Sequence, residues 1–128
     1  MRSVVLCGST RFKSEIQKLA ADLRKLGVVV YEPHLHNPKE LEEMKSMEHK
    51  KLIALGLTHD HFYKIRMADV VFIYNKNGYS GNGTTLEIGF AVGAGKPIYA
   101  LSPENDELVR LVLFRGVAKS PQALVKLL

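Results

Sequence analysis

The sequence is poor in cysteine and has no long apolar stretch. Its 128 residues contain one cysteine, Cys7, which cannot form a disulfide bond within the chain. The simplest interpretation is a reducing, cytoplasmic setting. No run of about 18 apolar residues is present, and the N-terminal residues lack the hydrophobic segment of a signal peptide. We therefore expect neither membrane insertion nor secretion.

The charged residues do not form a basic patch. The formal net charge is +5, but the Lys and Arg residues are spread along the chain and alternate with Glu. Such alternation is typical of solvated helix faces, and no cluster of base-stacking aromatic residues accompanies it. We therefore expect no nucleic-acid partner, although a modest positive field would suit a small anionic substrate. The length and the 46% hydrophobic content predict one globular domain over residues 1–128.

The stretch 69–99 has the clearest local organisation. Residues 70–74 form an apolar run typical of a strand buried on both faces of a parallel sheet, and a loop rich in Asn and Gly follows. Thr84 and Glu87 have the spacing of a capping box, which predicts that a helix begins there and ends at Gly95. A capping role would account for Glu87 by itself. It would also place the carboxylate in the first helical turn, where the helix dipole keeps it ionised.

The rest of the chain alternates between strand and helix patterns. Glycine, proline and N-cap residues divide it into further strands at 3–7, 28–31, 97–101 and 116–119, and into helices at 12–26, 39–55, 58–67, from Ser102-Pro103 and from Ser120-Pro121. In this scheme Gly56 separates two helices. The alternation predicts a three-layer α/β sandwich, flavodoxin/Rossmann-like, with about five parallel strands.

The loop after the first strand is a candidate anion site. Gly8, Ser9, Thr10 and Arg11 offer backbone N–H groups at a helix N-terminus, two hydroxyls and one guanidinium, which together suit a phosphate. The alternative is a tight turn with hydroxyl caps and an exposed arginine. If the first and third strands are neighbours, this loop faces the Asn/Gly loop across the point where the strand order reverses.

Histidine and cysteine offer weaker candidates. His34, His36, His59 and His61 could form a metal site if their loops meet, but an i,i+2 spacing is poor for shared ligation from a helix. Solvated histidines, or one histidine that contacts substrate, fit the pattern better, so we expect no metal and no cofactor. Cys7 could be a nucleophile at a strand end, but its position favours a small buried residue.

Taken together, these motifs resemble the nucleoside 2-deoxyribosyltransferase superfamily. The beginning, RSVVLCGSTRF, is most similar to the phosphate loop of the 2′-deoxynucleoside 5′-phosphate N-hydrolases. The middle is similar to the central block of the superfamily, which has an Ala-Asp strand entry, a Gly-rich loop, the E-I-G-F-A motif and the G-K-P motif. LFRGVA is similar to a C-terminal patch of the hydrolases. The resemblance spans nearly the whole chain.

The resemblance assigns roles to individual residues. Glu87 matches the glutamate that attacks C1′ of the sugar or stabilises its oxocarbenium-like transition state. The loop from Gly8 to Arg11 matches the 5′-phosphate loop, and Gly83 and Thr84 lie beside the sugar-binding turn. The chain departs from the family pattern at three positions, which are occupied by Val5 instead of tyrosine, His61 instead of aspartate and Gly81 instead of an acidic residue or serine.

The resemblance implies an enzyme that cleaves or transfers the N-glycosidic bond of (deoxy)nucleoside 5′-monophosphates or nucleosides. His61 is the candidate for assisting departure of the base, while Asn82, Tyr79 and Asp60 are candidates to replace the missing family residues. Two alternatives remain open: a non-catalytic nucleotide-binding or sensor domain on the same fold, and a metal-dependent hydrolase that uses the histidines. The resemblance to dimeric enzymes and the apolar run 111–114 also predict a homodimer.

Overall fold

The computed structural model describes residues 2–35, 39, 43, 46–103 and 107–128. Its strands and α-helices are β1 (Ser3–Gly8), α1 (Lys13–Lys25), β2 (Val29–Tyr31), α2 (Met47–Met67), β3 (Val70–Tyr74), α3 (Asn82–Gly93), β4 (Ile98–Ala100), α4 (Leu108–Leu111), β5 (Gly116–Val117) and α5 (Pro121–Leu127). Short 3₁₀ turns at Thr10–Phe12 and Lys76–Gly78 follow β1 and β3.

The five strands form one parallel sheet in the order β2-β1-β3-β4-β5. This is the predicted flavodoxin-like α/β arrangement, and β1 and β3 are neighbours as expected. Their register pairs Cys7 with Ile73 and Gly8 with Tyr74, so both strands end at the same edge. At the opposite edge, Asp69 Oδ2 accepts hydrogen bonds from the Ser3 N–H (2.8 Å) and hydroxyl (3.1 Å), and the Asp69 N–H donates back to Ser3 Oγ (3.0 Å).

The sheet separates two apolar cores, because successive side chains of a strand point to opposite faces. Val4 and Leu6 of β1 contribute to the core covered by α1 and α5, which we call the α1 face. Val5 and Cys7 contribute to the core covered by α2 and α3, which we call the α2/α3 face. Side chains from all three layers are fully buried in these cores, as expected for the predicted sandwich.

The predicted break at Gly56 is wrong, because α2 continues without interruption through both Gly56 and Thr58. Ser46 caps this helix, with its Oγ accepting from the His49 N–H at 3.1 Å. A glycine inside a helix costs only about 1 kcal/mol, and the packing of the fully buried Ile65 on the sheet outweighs it. Most of the first part of the helix predicted over 39–55 lies outside the described residues.

The predicted capping box at Thr84 and Glu87 is also wrong. Helix α3 begins at Asn82, with Gly81 as the N-cap, and its first turn closes through a hydrogen bond from the Thr85 N–H to Gly81 O at 3.0 Å. Thr84 therefore lies inside the helix and is buried. Glu87 lies in the second turn, where it cannot cap the helix. Its presence needs another explanation.

The predicted end of α3 is confirmed. Gly95 has a left-handed backbone, with φ +71°. Its N–H donates to Val92 O, and the N–H of Lys96 donates to Ala91 O, both at 3.0 Å. These two hydrogen bonds form a Schellman motif, which requires a left-handed residue at the position of Gly95.

The C-terminal elements follow the predictions in part. Ser102 and Pro103 do not begin a helix, since the N–H and carbonyl of Ser102 bond the side chain of Asn75, and the described helix α4 begins only at Leu108. The last helix begins as predicted, with Ser120 Oγ accepting from the Ala123 N–H at 3.1 Å. The short fifth strand is also present.

The outer surface of α2 mixes apolar and polar residues. Its leucines Leu52 and Leu55 are 67% and 55% exposed. The homodimer stays a prediction. In the described part of the chain, no helix combines the length and the hydropathy needed to cross a membrane.

Candidate active site

A cleft of about 380 Å³ opens where β1 and β3 end side by side. From β1 the chain runs to β2 on one side, and beyond β3 it runs to β4 on the other, so the cleft lies where the strand order reverses. Ligands of open α/β sheets bind at such switch points. Its lining consists of the loop after β1 (Gly8, Ser9, Thr10), the segment after β2 (Pro33, His34, Leu35), one side of α2 (Ala54, Leu57, Thr58, His61) and the beginning of α3 (Gly81, Asn82, Gly83, Thr84, Glu87).

The structure brings eight of the nine residues predicted for the site to this cleft. The exception is Arg11, which is exposed and whose guanidinium carbon lies 3.6 Å from the centroid of the Tyr79 ring. In this position the guanidinium makes a cation–π contact with the Tyr79 ring and does not line the cleft. The remaining predicted residues are Gly8, Ser9, Thr10, His61, Asn82, Gly83, Thr84 and Glu87, and their roles stay predictions.

Close packing shapes the loop after β1. A Cβ added at Gly8 would lie 2.6 Å from Ile16 Cδ1 and 3.2 Å from the Tyr74 carbonyl oxygen, so a side chain there would displace Ile16 and crowd the end of β3. Ser9 Oγ accepts from the Arg11 N–H at 3.3 Å, which makes this hydroxyl a cap of the following turn. Both features fit the tight-turn alternative as well as a phosphate site. Ser9 and Thr10 nevertheless line the cleft and lie at the start of a helical segment.

The loop after β3 is held in place by Asn75, which is completely buried. Its side-chain N–H donates to Ser102 O at 3.1 Å, and its Oδ1 accepts from the Ser102 N–H at 2.9 Å. Asn77 and Gly78 then adopt left-handed backbones, with φ 57° and 79°. The turn delivers Gly81 to the cleft edge, where α3 begins.

Three side chains from three different elements meet at the inner end of the cleft. Cys7 comes from β1, His61 from α2 and Glu87 from the second turn of α3. Cys7 Sγ lies 3.2 Å from His61 Nε2, and Glu87 Oε2 lies 3.6 Å from the same nitrogen. Cys7 and His61 are buried, whereas the Glu87 side chain is 20% exposed toward the cleft. We call these three residues the CHE cluster.

Burial controls the charges in the CHE cluster. It raises the pKa of Glu87 to about 7, although a hydrogen bond from the Cys7 thiol opposes part of the change. Burial also lowers the pKa of His61 to about 4, assisted by the charge of Lys64 and opposed by that of Asp60. The pKa of Cys7 is well above its usual value because of burial and the neighbouring Glu87 carboxylate. The expectation that the helix dipole keeps Glu87 ionised is therefore wrong, since burial dominates.

These pKa values define the protonation states at neutral pH. His61 is neutral, so its contact with Glu87 is not an ion pair. The Cys7 thiol keeps its proton and can donate it to Glu87. Glu87 is divided between its two forms. Among the described residues, its direct neighbours are therefore a thiol and a neutral imidazole, not an Arg or Lys side chain.

The other histidines do not join this group. His34 and His59 are exposed, and the His59 ring contacts Phe62 edge-on. His36 lies outside the described residues. Within the described ranges, the CHE cluster is the group of potential metal ligands, and it contains a single histidine. Among the described histidines, the structure thus does not bring His34, His59 and His61 together as metal ligands.

Sequence reasoning missed the Cys7 contacts. It treated Cys7 as a small buried residue, which its complete burial agrees with, but the register of β1 also places the thiol beside His61 and Glu87. Of the residues proposed to replace missing family positions, Asn82 lines the cleft. Tyr79 lies beneath Arg11, and Asp60 pairs with Lys64 at 2.8 Å. Neither of these two lines the cleft.

The fold and the cleft define an α/β protein with a buried glutamate at the switch point of a parallel sheet. Residues 4–123 match the sequence family described as nucleoside 2-deoxyribosyltransferase. The chain belongs to this family, as its motifs suggested. Membership supports an enzyme of glycosyl transfer or N-glycosidase type acting on nucleosides. A comparison with curated protein sequences finds no significant match.

Several solved structures share the fold. A 2-deoxyribosyltransferase from Bacillus psychrosaccharolyticus is 20% identical with a TM-score of 0.67, covering 95% of this chain and 89% of its own. A conserved protein from Enterococcus faecalis V583 is 19% identical with a TM-score of 0.66, covering 98% and 96%. The CMP N-glycosidase BcmB of Clostridium botulinum is 18% identical with a TM-score of 0.54, also covering 98% and 96%. At these identities the likeness shows the fold.

Proposed function

We propose that the protein cleaves or transfers the N-glycosidic bond of nucleosides or their 5′-monophosphates, with Glu87 as the carboxylate that acts at C1′. The observation that carries this proposal is the position of Glu87 in the second turn of α3. There the side chain does no capping, is largely buried and reaches the cleft. Burying a carboxyl group without a cationic partner is unfavourable, and such groups are concentrated at functional sites.

The chemistry follows from the needs of the reaction. As the C1′–N bond breaks, its electron pair leaves with the base and positive charge develops on the sugar. Glu87 in its ionised form can stabilise that charge or bond to C1′, and no Arg or Lys among its direct described neighbours competes for the carboxylate. Water or a second base then takes the sugar, which distinguishes a hydrolase from a transferase.

His61 is the proposed partner of the leaving base. It lines the cleft beside Glu87, and its Nδ1 is buried without a hydrogen-bond partner among the described residues. Because the His61 residue lines the cleft, its neutral imidazole can orient the base by contact, and Nδ1 can accept or donate one hydrogen bond once a side-chain rotation exposes it. With a pKa of about 4, the ring is a poor proton reservoir at neutral pH. We therefore assign His61 an orienting role and leave protonation of the base to solvent.

The loop after β1 is proposed to bind the 5′ end of the substrate. Ser9 and Thr10 line the cleft at the start of a helical segment, where backbone N–H groups favour an anion. The fold is shared by an enzyme described as a CMP N-glycosidase and by one described as a 2-deoxyribosyltransferase. This supports a substrate with either a 5′-phosphate or a 5′-hydroxyl group. Anchoring the 5′ end supplies binding energy that positions C1′ over Glu87.

The test is release of free base. The purified protein is incubated with each common nucleoside and 5′-monophosphate, with and without a second free base, and the products are separated by chromatography. Base released from at least one substrate by wild type but not by Glu87→Gln supports the proposal. Exchange with the second base identifies a transferase. Tight nucleotide binding without base release would overturn it in favour of a non-catalytic sensor, the alternative that the missing tyrosine at Val5 and the missing aspartate at His61 favour.

A further inference from the structure

The CHE cluster has the geometry of a transition-metal site. Its three potential ligand atoms, one each from Cys7, His61 and Glu87, all lie within 4.8 Å of one another. Zinc binds such ligands at about 2.0–2.3 Å, so two ligands of a tetrahedral ion are separated by roughly 3.3–3.8 Å. The measured separations from His61 Nε2 are 3.2 Å to Cys7 Sγ and 3.6 Å to Glu87 Oε2. The remaining pair, Cys7 Sγ and the Glu87 carboxylate, lies within 4.8 Å, so side-chain shifts of at most about 1 Å would accommodate the ion.

A second observation is independent of these distances. The Cys7 thiol interacts with the Glu87 carboxyl group, but its oxygen Oε2 is a buried atom without a hydrogen-bond partner among the described residues. Buried oxygen atoms without a partner are unfavourable, and a bound cation would satisfy this one. The Glu87 and His61 side chains also line the cleft, so an ion has a path of entry and its fourth position would face the cleft.

We propose that the CHE cluster binds one zinc-class divalent cation through Cys7 Sγ, His61 Nε2 and a Glu87 carboxylate oxygen, and that the bound ion inhibits the enzyme. Binding replaces the thiol proton, which is released to solvent, and leaves a thiolate–metal bond. The sulfur and nitrogen ligands favour zinc or cobalt over magnesium and calcium. The inhibition rests on the proposed function, because a carboxylate that donates to a metal cannot also act at C1′. The binding does not depend on it.

Cobalt titration tests the binding directly. Protein treated with a chelator and then dialysed is titrated with Co²⁺, and absorption spectra are recorded. A thiolate-to-cobalt charge-transfer band in the near ultraviolet, together with the intense visible bands of tetrahedral cobalt, is the expected result, and Zn²⁺ should remove both while Mg²⁺ should not. An absence of these bands, or their loss on adding Mg²⁺, would overturn the proposal.

Ligand variants locate the ion. Cys7→Ser should abolish the charge-transfer band, and His61→Asn should weaken cobalt binding more than about tenfold. The matched control is His59→Ala, which removes an exposed histidine of the same helix and should leave both bands unchanged. Loss of the bands in His59→Ala, or their persistence in Cys7→Ser, would place the ion elsewhere. Calorimetry of wild type in buffers of different ionisation enthalpy should show proton release on Zn²⁺ binding, a readout that needs no variant.

Inhibition is measured separately from binding. Within each variant that releases base, the rate with Zn²⁺ is divided by the rate with chelator, so that differences in basal activity cancel. We expect this ratio to be far below one for wild type and His59→Ala, and near one for Cys7→Ser. A wild-type ratio near one despite cobalt binding would overturn the inhibitory role. If no protein releases base, the proposed function fails while the cobalt result still decides the binding.

Discussion

The two faces of the sheet are built from the same strands but differ in chemistry. On the α1 face, the side chains of β1 are Val4 and Leu6, and the core they join consists of apolar residues. On the α2/α3 face, the side chains are Val5 and Cys7, and Cys7 contacts a buried histidine and a largely buried glutamate. One step along the same strand thus separates an apolar core from a core that contains the candidate active site.

This difference shows where the molecule accepts unfavourable groups. Burying ionisable side chains is costly, and proteins retain such groups mainly at functional sites. The α1 face should therefore contribute stability, and the α2/α3 face should sacrifice some stability for chemistry. Variants on the two faces can test that division.

The largest expected effect is on activity, at Glu87. Glu87→Gln should lower base release by roughly 10³-fold or more, the scale of losing a nucleophile or a charge-stabilising group. The melting temperature at pH 8 should not fall, because the amide removes a buried charge. Chromatography and thermal unfolding provide the two measurements. Glu15→Gln on α1 is the matched control, and near wild-type turnover of Glu87→Gln would refute the assigned role.

The opposite pattern is expected on the α1 face. Leu23 is completely buried there, and Leu23→Ala should lower the free energy of unfolding by about 2–5 kcal/mol through lost burial and a cavity. At a temperature where the variant remains folded, kcat should stay near that of wild type. Denaturant unfolding measures the first effect. Leu26→Ala, at the exposed C-cap of the same helix, should cost much less. A large loss of kcat in folded Leu23→Ala would contradict the division.

The pH dependence of stability should also distinguish the faces. The folded pKa of Glu87, about 7, is above its usual 4.5, so the folded state holds the extra proton between these values and its stability falls as pH rises. The whole change is on the order of 3 kcal/mol. For His61 the folded pKa of about 4 is below 6.5, so stability falls as pH decreases through that window. In wild type these two opposite changes of the unfolding free energy with pH nearly cancel between pH 4.5 and 6.5.

Replacing either Glu87 or His61 should reveal the pH dependence that the other group gives to the unfolding free energy. With chelator present, the unfolding free energy of Glu87→Gln minus that of wild type should increase from pH 4.5 to 7. The same difference for His61→Asn should increase as pH falls from 6.5 to 4. Leu23→Ala should show a constant difference, since it removes no ionisable group. Parallel curves for all three variants would contradict the pKa values.

Arg11, at the edge of the α1 face, tests whether residues outside the cleft take part in nucleotide binding. Its guanidinium lies over Tyr79, a residue that packs against the α1-face core. Reaching a phosphate would require leaving that ring, so Arg11→Ala should weaken monophosphate binding by about tenfold, the low end for a charged hydrogen bond. Binding of the parent nucleoside should not change. Calorimetry with both ligands, and with Lys13→Ala as a charge-matched control, decides this, and equal losses for both ligands would exclude a phosphate contact.

The smallest effect is expected at the far end of α3. Gly95 has φ +71° and open space around its Cβ position, so Gly95→Ala should cost about 1 kcal/mol through backbone strain alone. Gly93 also has open space but lies within the helix, so Gly93→Ala should stabilise by about 0.5–1 kcal/mol. Both should keep wild-type activity, because they lie at the end of α3 opposite the cleft. If denaturant unfolding shows that both substitutions stabilise the protein, or that both destabilise it, the Schellman geometry is contradicted.

Much of the fold was predictable because local signals mark its turns. Gly95 and Ser120-Pro121 carry chemistry that determines the backbone within a few residues, and both predictions are confirmed. Gly56 misled because tertiary packing outweighs the modest cost of one glycine in a helix. Thr84 misled because the preceding Gly81 and Asn82 allow the helix to begin a turn earlier.

The site was predictable only as far as the motifs reached. The spacing of the loop after β1 and the motif around Glu87 identify residues that the structure places at one cleft. The contact of Cys7 with His61 joins residues 54 positions apart, and it depends on strand register and on the placement of α2. No local pattern encodes that distance. The position of Arg11 over Tyr79 likewise depends on how a loop after a different strand returns.

The hydrogen bonds between Ser3 and Asp69 have a consequence for how the chain is made. They join β1 to a neighbour 66 residues later in sequence. A ribosome adding about 5–20 residues per second needs several seconds to cover that interval. Throughout it, one edge of the most apolar early strand has no partner, and unpaired apolar edges recruit other chains. During synthesis, therefore, this edge is open to pairing with other chains until Asp69 and β3 have followed.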